Sequence, residues 1–310
     1  MGKIRESAAA AMKDCNAGAG VFPASDILCK LSSCLRLVKF RLVSLSLLSC
    51  CAGFVLGTPG TVRTGFLAAV MAASGALAAG GLALNQWMEQ KFDRLMVRTE
   101  RRPLPAGDLS GVQALAFGLG LTALGALGMF FFVNLQSLFF GVLTLVLYLG
   151  FYTPMKRWTP LSVHVGAIAG ALPVFIGWTA ANPVLTGGAW SLFSLLFFWQ
   201  WLHFSLIAWV YREDYSRGGF VFLELKDSEG VRTGQRALAV CGILFGISFI
   251  PAGMHLAGVF YAGLACVLGS MLIFLSLRAI RDMKTGARPL MHASVLYLFA
   301  LLTAMILDRI

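Results

Sequence analysis

Nine long apolar runs, separated by short polar segments, occupy most of this chain. An apolar helix of about 20 residues is long enough to cross the hydrocarbon core of a bilayer. A chain in lipid must pair its backbone groups internally, and the many glycines and few strand turns favour helices over a barrel. The sequence therefore predicts an all-α, polytopic membrane bundle of about nine transmembrane helices. The apolar runs cover residues 42–57, 65–86, 111–132, 135–152, 162–181, 190–211, 237–256, 258–277 and 291–307.

The composition excludes an ordinary soluble protein. Hydrophobic residues make up 58% of the 310 residues and charged residues only 13%, about half the charged fraction of a soluble domain. None of the seven cysteines belongs to a CxxC or Cys/His metal-binding pattern, so buried thiols are expected rather than a disulfide framework. We divide the chain into a cytoplasmic, poorly ordered N-terminal tail at residues 1–34 and one membrane domain at residues 35–310.

Lysine and arginine are distributed unevenly about the predicted spans. The N-terminal tail and alternate connections hold 23 of the 25 Lys and Arg residues, whereas the opposite side holds only Arg63 and Arg309. Because positively charged loops remain in the cytoplasm, the N-terminus is predicted to be cytoplasmic and the C-terminus outside. The net charge of +11 then faces the anionic inner leaflet, which predicts contact with membrane lipids and argues against nucleic acid binding.

Asn85, Glu89 and Asp93 stand four residues apart at the end of the second span. With 3.6 residues per helical turn, this spacing places all three on one face of a helix. Amide and carboxylate oxygens suit Mg²⁺, which keeps several waters and bridges to substrate phosphates. The spacing also fits a solvated helix end in which Glu89 lies near Arg94.

A second acidic segment, with Glu213 and Asp214 inside Tyr211–Gly219, closes the sixth span. Each acidic segment therefore ends the second helix of a four-helix set. This placement predicts two four-helix pseudo-repeats plus one helix, with a shared site at the interface of the repeats. Facing each other, the two acidic segments would clamp metal ions around a diphosphate.

Basic and aromatic residues lie on the same predicted side of the membrane. Guanidinium and ammonium groups bind phosphate oxygens, although topology and lipid contact also explain such charges. Tyrosine rings stabilise a carbocation through their π clouds, although ordinary packing is the simpler role for any single ring. The diphosphate-binding candidates are Arg94, Arg98, Arg102, Lys156, Arg157 and Arg217, and the carbocation-shielding candidates are Tyr148 and Tyr152.

Several phrases of the sequence agree with one family in order and spacing. They are Asn85-x3-Glu89-x3-Asp93 with its continuation to Gly107, Tyr152–Pro160, Gly166–Trp178, Trp199-Gln-x2-His203 and Tyr211–Gly219. Over about residues 35–308, the chain resembles the protoheme IX farnesyltransferases (heme O synthases), a branch of the UbiA-type intramembrane prenyltransferases.

The resemblance implies a helical bundle around a central cavity and an Mg²⁺-dependent reaction. A farnesyl group passes from farnesyl diphosphate to a vinyl group of heme b, and water adds a hydroxyl, giving heme O and diphosphate. The resemblance also implies the bacterial inner membrane, an active site at the cytoplasmic side, and a heme A synthase or oxidase assembly factor as a partner. The residues that it assigns to catalysis are Asn85, Glu89, Asp93, Glu213 and Asp214, all but Glu213 as metal ligands.

On the acceptor side, the resemblance assigns His203 to heme b, with His164 as a second candidate. Two departures from the family pattern lie there. Leu202 stands where the family has proline before the histidine, and Phe220–Glu224 replaces a Pro-Met-Leu-Pro phrase. The diphosphate motifs are intact. More matching residues therefore support diphosphate binding than support heme b as the acceptor.

Three other functions are compatible with the residues. A UbiA-type prenyltransferase with a quinone precursor or another tetrapyrrole as acceptor would keep the acidic motifs without needing His203. An ion-coupled transporter would use the acids as an ion path, but carriers place such acids near the bilayer midplane rather than at helix ends. A catalytically silent heme-binding or assembly protein would bind heme b without any transfer.

Overall fold

Long helices form the protein in a computed structural model that describes residues 23–310, with side chains described from Lys30 onward. Nine helices in this range are long and apolar enough to cross a membrane, and the described range contains no strand. The spans are α2 (Phe40–Gly57), α3 (Thr64–Asp93), α4 (Gly111–Phe132), α5 (Leu135–Met155), α6 (Ser162–Ala181), α7 (Gly187–Val210), α9 (Val231–Gly253), α10 (Val259–Arg281) and α11 (Met283–Leu307). Two further helices are α1 (Pro23–Val38) and the short α8 (Arg212–Arg217).

The predicted number and order of spans are confirmed, but several helices are longer than the apolar runs. Helix α3 continues past residue 86 to Asp93, and α11 begins at Met283 rather than at residue 291. Hydropathy locates the part of a helix that lies in hydrocarbon, whereas the helical hydrogen bonds continue into the polar layer beyond it. As a result, the whole Asn85–Asp93 motif lies on a single continuous helix.

Part of the predicted N-terminal tail is helical. Residues 1–22 of that tail lie outside the described residues, and α1 begins at Pro23. Leu37 near the end of α1 is fully buried, and its carbonyl oxygen accepts a 2.6 Å hydrogen bond from Gln86 Nε2 of α3. Arg36 also forms an ion pair with Asp108. Helix α1 is therefore docked on the end of α3 and on the loop that follows it.

Helices α2 and α6 cross in close contact because glycine lies at the crossing. A Cβ atom at Gly53 would lie 2.2 Å from the carbonyl oxygen of Val174, and one at Gly177 would lie 1.8 Å from that of Cys50. Small residues allow helix backbones to approach in this way inside a membrane. This contact joins the first span to the fifth, and so fastens one half of the bundle to the other.

The second half of the bundle has a continuous apolar core between α7, α9, α10 and α11. Leu206 of α7, Leu244 of α9, Leu272 of α10 and Leu298 of α11 are all fully buried in it. Trp199 of α7 also donates a 2.6 Å hydrogen bond to the carbonyl oxygen of Ser294 in α11. These contacts fix the C-terminal half of α7, from which the second acidic segment continues.

Candidate active site

The first acidic motif occupies the last turns of α3 and is buried. Asn85, Glu89 and Asp93 have exposed fractions of only 2%, 6% and 1%. Charged groups are rarely buried to this extent without partners. The alternative of a solvated helix end with Glu89 near Arg94 is therefore wrong, because Arg94 is exposed while Glu89 is enclosed.

Each acid of the first motif has a basic partner from another segment. Glu89 Oε1 accepts a 2.5 Å hydrogen bond from Lys156 Nζ. Both oxygens of Asp93 lie 2.7–2.8 Å from Arg102 Nη1. Burial lowers the pKa of Lys156, but the charge and hydrogen bond of Glu89, together with Tyr152 and Tyr148, outweigh it and raise the pKa above its usual value. The site thus holds two neutralised acid–base pairs at the end of α3.

Asn85 is oriented by the C-terminal turns of α5. Its Nδ2 donates a 3.0 Å hydrogen bond to Thr153 Oγ1, and Thr153 in turn donates to the carbonyl oxygen of Tyr148 at 2.8 Å. These bonds use the amide nitrogen of Asn85 and leave its oxygen as the atom available to a ligand.

Asp214 of the second motif joins the two acidic segments. Its carboxylate accepts hydrogen bonds from the backbone amides of Val97 at 3.3 Å and Arg98 at 3.2 Å, and pairs with Arg217. The bonds from Arg217 and from the two amides outweigh burial and lower the pKa of Asp214. Asp214 therefore holds the loop after α3 against α8, whereas its neighbour Glu213 is exposed.

Tyr148 and Tyr152 lie on a π-helical segment, Val146–Tyr152, inside α5. Such segments often occur at functional sites because the extra residue per turn redirects side chains. The two tyrosine rings stack at 5.6 Å, and Tyr152 stacks at 6.2 Å on Phe204 of α7. Lys156 Nζ lies 4.4 Å from the centre of the Tyr152 ring. Both tyrosines are therefore next to the Glu89–Lys156 pair.

The remaining basic candidates separate into two groups. Arg98 donates a 3.1 Å hydrogen bond to the Tyr215 hydroxyl and, like Arg217, belongs to the second motif. Arg94 and Arg157 are exposed, and Arg157 lies 4.0 Å over the ring of Phe92. Side chains of three candidates thus pair with the acids, namely Arg102, Lys156 and Arg217. Arg98 reaches Asp214 only through its backbone amide, and Arg94 and Arg157 form no ion pair among the described residues.

Lys39 is a basic residue of the site that the sequence analysis did not include. It lies between α1 and α2 with a left-handed backbone (φ 49°), which is uncommon for a residue other than glycine. Burial and the positive charge of Arg102 lower the pKa of Lys39 to about 7, while Glu89 and Asp93 act in the opposite direction. No feature of the sequence singles Lys39 out, because lysines commonly flank membrane spans, and its proximity to Glu89 and Asp93 arises only in the folded chain.

In this structure, the acids do not converge on a common point. Among the side chains described from Lys30 onward, no group of three or more His, Cys, Asp or Glu residues is arranged to hold a metal ion. The reason is visible in their partners, since Glu89 and Asp93 face cations and Asp214 faces backbone amides. The carboxylate oxygens are of the type that Mg²⁺ requires, and binding a metal would require those cations to change partners.

The two candidate heme histidines have different surroundings. His203 stacks on Trp199 with ring centres 5.0 Å apart, and its Nδ1 is 3.0 Å from Ser294 Oγ. His164 packs against Trp201 at 4.7 Å, and its Nδ1 has no hydrogen-bond partner among the described residues. The substituted Leu202 is buried in the apolar core, so His203 lies at the seam of α7 and α11 without a proline kink before it.

Glu224, the other departure from the family pattern, is a buried acid on a short 3₁₀ turn, Leu223–Lys226. Its exposed fraction is 3%, and Oε2 has no hydrogen-bond partner within the described part of the chain. Burial raises the pKa of Glu224, although a hydrogen bond from Ser205 acts in the opposite direction. The carboxyl group of Glu224 therefore stays protonated to a higher pH in the folded protein than in the unfolded chain.

We expect Glu224→Gln to reduce the loss of stability at raised pH. The stability contributed by a raised pKa is fully present below the ordinary value of 4.5 and is lost as the pH rises through the folded-state value. Thermal unfolding of the purified protein between about pH 4.5 and 8 should therefore show a flatter pH dependence in the variant. Exposed Glu229 provides the control, because Glu229→Gln should keep the wild-type slope. An equal slope in Glu224→Gln would contradict the assignment.

Both acidic motifs lie in a region that matches a known protein family. The family model described as "UbiA prenyltransferase family" matches residues 46–303, which include both acidic motifs. The chain belongs to the UbiA prenyltransferase family. Curated relatives named protoheme IX farnesyltransferase include one from Opitutus terrae, 38% identical over 293 residues (93% of this chain and 97% of the relative). Another from Solibacter usitatus is 43% identical over 238 residues (76% and 81%).

Solved structures of UbiA homologues show the same fold. A UbiA homologue from Aeropyrum pernix K1 superposes with a TM-score of 0.69 at 19% identity, covering 87% of this chain and 98% of that chain. A UbiA homologue from Archaeoglobus fulgidus, solved with GPP and Mg²⁺ bound, has a TM-score of 0.64 at 16% identity, covering 88% and 99%. The helical bundle of this membrane protein is therefore the UbiA-type architecture.

Proposed function

We propose that this chain transfers a farnesyl group from farnesyl diphosphate to a vinyl group of heme b, giving heme O and diphosphate. The observation that carries the proposal is the buried set of two carboxylates with two cations at the end of α3, Glu89–Lys156 and Asp93–Arg102. Relatives named protoheme IX farnesyltransferase, similar over 76–93% of the chain, support farnesyl as the donor group and protoheme IX as the acceptor.

We assign the metal to Mg²⁺ and its ligands to Asn85, Glu89 and Asp93, with Asp214 completing the set from the second motif. Amide and carboxylate oxygens are the donors that suit this ion, and the Asn85 oxygen is left available by the bond from its nitrogen to Thr153. When bound, the ion would neutralise charge on the departing diphosphate. The UbiA homologue solved with GPP and Mg²⁺ supports the choice of metal.

Lys156 and Arg102 are the residues that respond to the diphosphate. In this structure they neutralise Glu89 and Asp93. With diphosphate present, they exchange the carboxylates for phosphate oxygens, so that both acids become available as metal ligands. Lys39, whose pKa is lowered to about 7, has no ion pair among the described residues. A diphosphate nearby would favour its protonated form and so add a third positive charge at the same place. Positive charge placed where negative charge develops assists cleavage of the allylic carbon–oxygen bond.

Tyr148 and Tyr152 protect the cation formed at C1 of the farnesyl group. Their stacked rings and Phe204 form an aromatic wall beside Lys156, and aromatic faces stabilise a neighbouring cation. The wall also excludes water until the electron pair of the vinyl group attacks C1. Water then adds to the resulting cation on the heme substituent and loses a proton, which leaves the hydroxyl of heme O.

We further propose the bacterial inner membrane as the location, with the N-terminus and the site cytoplasmic and the C-terminus outside. This orientation is supported by the one-sided distribution of Lys and Arg and the positive-inside rule. A heme A synthase or oxidase assembly factor would receive the product. His203 is proposed to help place heme b through its Nε2, because Nδ1 is engaged with Ser294.

An assay with purified protein, heme b, farnesyl diphosphate and Mg²⁺ tests this function. We expect equal amounts of heme O, detected by mass spectrometry, and diphosphate, with both falling to background when EDTA removes the metal. Replacing heme b by a quinone precursor should give no prenylated product. Prenylation of the quinone precursor without heme O would overturn the choice of acceptor, and full activity in EDTA would overturn the metal assignment.

A further inference from the structure

A charged cavity lies behind the second acidic motif, on the side of α8 that faces α11. Its volume is about 550 Å³, which is within the usual range for a small-molecule site. The first motif's Asn85, Glu89 and Asp93 are not among its walls. The lining residues are Val97, Trp209, Val210, Tyr211, Arg212, Glu213, Asp214, Arg217, Lys284 and Arg288.

The side chains around the cavity carry an excess of positive charge. Four are basic and two are acidic. Asp214 is neutralised by Arg217, which leaves Glu213 against three cations. Lys284 and Arg288 form no ion pair within the described residues. The excess is two positive charges, so the cavity has the charge that would bind a ligand with two negative groups.

Two of these cations come from one face of α11. Lys284 and Arg288 are four residues apart on this helix, so their side chains lie one turn apart on the same side. Arg212 comes from α8, where its Nη1 donates a 3.3 Å bond to the carbonyl oxygen of Trp209 and its guanidinium lies 4.5 Å over the Trp209 ring. The basic groups thus face the cavity from two elements.

The cavity adjoins the diphosphate site through the loop after α3. Val97 lines the cavity, and its amide is bonded to Asp214. Val97 follows Asp93 by four residues, and the turn between them is closed by a bond from the Met96 amide to the carbonyl oxygen of Asp93. A short turn of the chain, from Asp93 to Val97, therefore connects the first motif to the cavity wall.

We infer that this cavity binds the two propionate groups of the heme b acceptor, with Lys284 and Arg288 as the principal carboxylate-binding residues. The inference rests on the proposed function. Protoheme IX carries both propionates on one edge of the macrocycle and its vinyl groups on the other side. Propionates held behind α8 allow the macrocycle to extend past Val97, bringing a vinyl group toward Asp93. A phospholipid headgroup with one phosphate would match only half of the excess charge.

Binding of heme b and of its dimethyl ester to the full-length protein tests this inference. The ester keeps the macrocycle and the vinyl groups but lacks both negative charges. Titration followed by Soret absorbance, without farnesyl diphosphate or Mg²⁺, measures binding independently of the transfer reaction. We expect wild-type protein to bind the ester about tenfold more weakly than heme b, the usual effect of losing hydrogen bonds to charged groups.

The double variant Lys284→Ala/Arg288→Ala should bind heme b about tenfold more weakly and should no longer distinguish it from the ester. Arg281→Ala is the matched control, because Arg281 is exposed at the end of α10 and does not line the cavity. It should keep wild-type discrimination. The single variant Arg288→Lys keeps the positive charge, so it should bind heme b with most of the wild-type affinity.

Equal binding of heme b and its ester by wild-type protein that makes heme O would overturn the inference while leaving the proposed function intact. The inference would also be overturned if the double variant still distinguished heme b from its ester as the wild type does. Loss of bound anionic phospholipid from the double variant, without a change in its affinity for heme b, would overturn it as well. Wild-type protein that neither binds heme b nor makes heme O would overturn the inference and the proposed function together.

Discussion

Replacement of Asp93 by asparagine should lower kcat/KM for farnesyl transfer by about 10³-fold, the scale seen when one group that stabilises transition-state charge is removed. Asparagine has nearly the same shape, so the end of α3 should remain helical. It lacks the negative charge that pairs with Arg102 in this structure and that would hold the metal when diphosphate is present. The measurement is heme O formation over a range of farnesyl diphosphate concentrations.

Asp108, on the loop that follows α3, provides the matched control for Asp93. It also pairs with an arginine, Arg36, but both side chains are more than one third exposed. Exposed pairs contribute little to stability, about 0–1 kcal/mol, and this one does not contact the acids of α3. Asp108→Asn should therefore change kcat/KM less than about twofold. Similar losses in both variants would show that the loop is important only for folding.

Lys156→Met should affect both activity and stability. Lys156 is the cation bonded to buried Glu89, and removing one member of a buried pair costs about 3–5 kcal/mol because the other charge is left without a partner. Transfer should fall by at least about 10²-fold, because a phosphate-binding charge is also lost. Thermal unfolding in detergent and kcat/KM measured on the same preparation would record the two effects.

The double variant Lys156→Met/Glu89→Gln separates these effects. Removing both charges should recover most of the lost stability, since no buried charge remains unpaired. Activity should stay low, because the carboxylate of Glu89 is also gone. Added Mg²⁺ should stabilise the Lys156→Met single variant more than the wild type, because Glu89 is then free to bind the ion. A single variant as stable as the wild type would contradict the role of the pair.

The spans could be predicted from sequence because solvation in lipid depends on local composition. An apolar run long enough to cross the bilayer has few alternatives, and each predicted run corresponds to a helix. The ends were less accurate, as in α3 and α11, because the residues there are polar and are held in the helix by neighbouring loops. Hydropathy does not contain that information.

The candidate site was predictable where local spacing determines it. Four-residue spacing places Asn85, Glu89 and Asp93 on one helix face, and the one-sided distribution of basic residues includes Lys156 among the phosphate-binding candidates. Lys39 and the backbone contacts of Asp214 were not predictable, because each depends on segments distant in sequence that meet only in the folded chain. The exposure of Arg94 and Arg157 was not predictable either. A basic residue close to a motif in sequence can point toward the site or away from it, and only the folded chain decides which.

The most direct test of the diphosphate site is a structure of the full-length protein with Mn²⁺ and farnesyl thiodiphosphate, an analogue whose carbon–sulfur bond resists cleavage. Anomalous scattering would locate the metal. We predict a peak between the carboxylates of Glu89 and Asp93, with the Asn85 oxygen as a further ligand and with Lys156 and Arg102 moved to the phosphate oxygens. A diphosphate bound elsewhere, with the Glu89–Lys156 and Asp93–Arg102 pairs unchanged, would contradict the account.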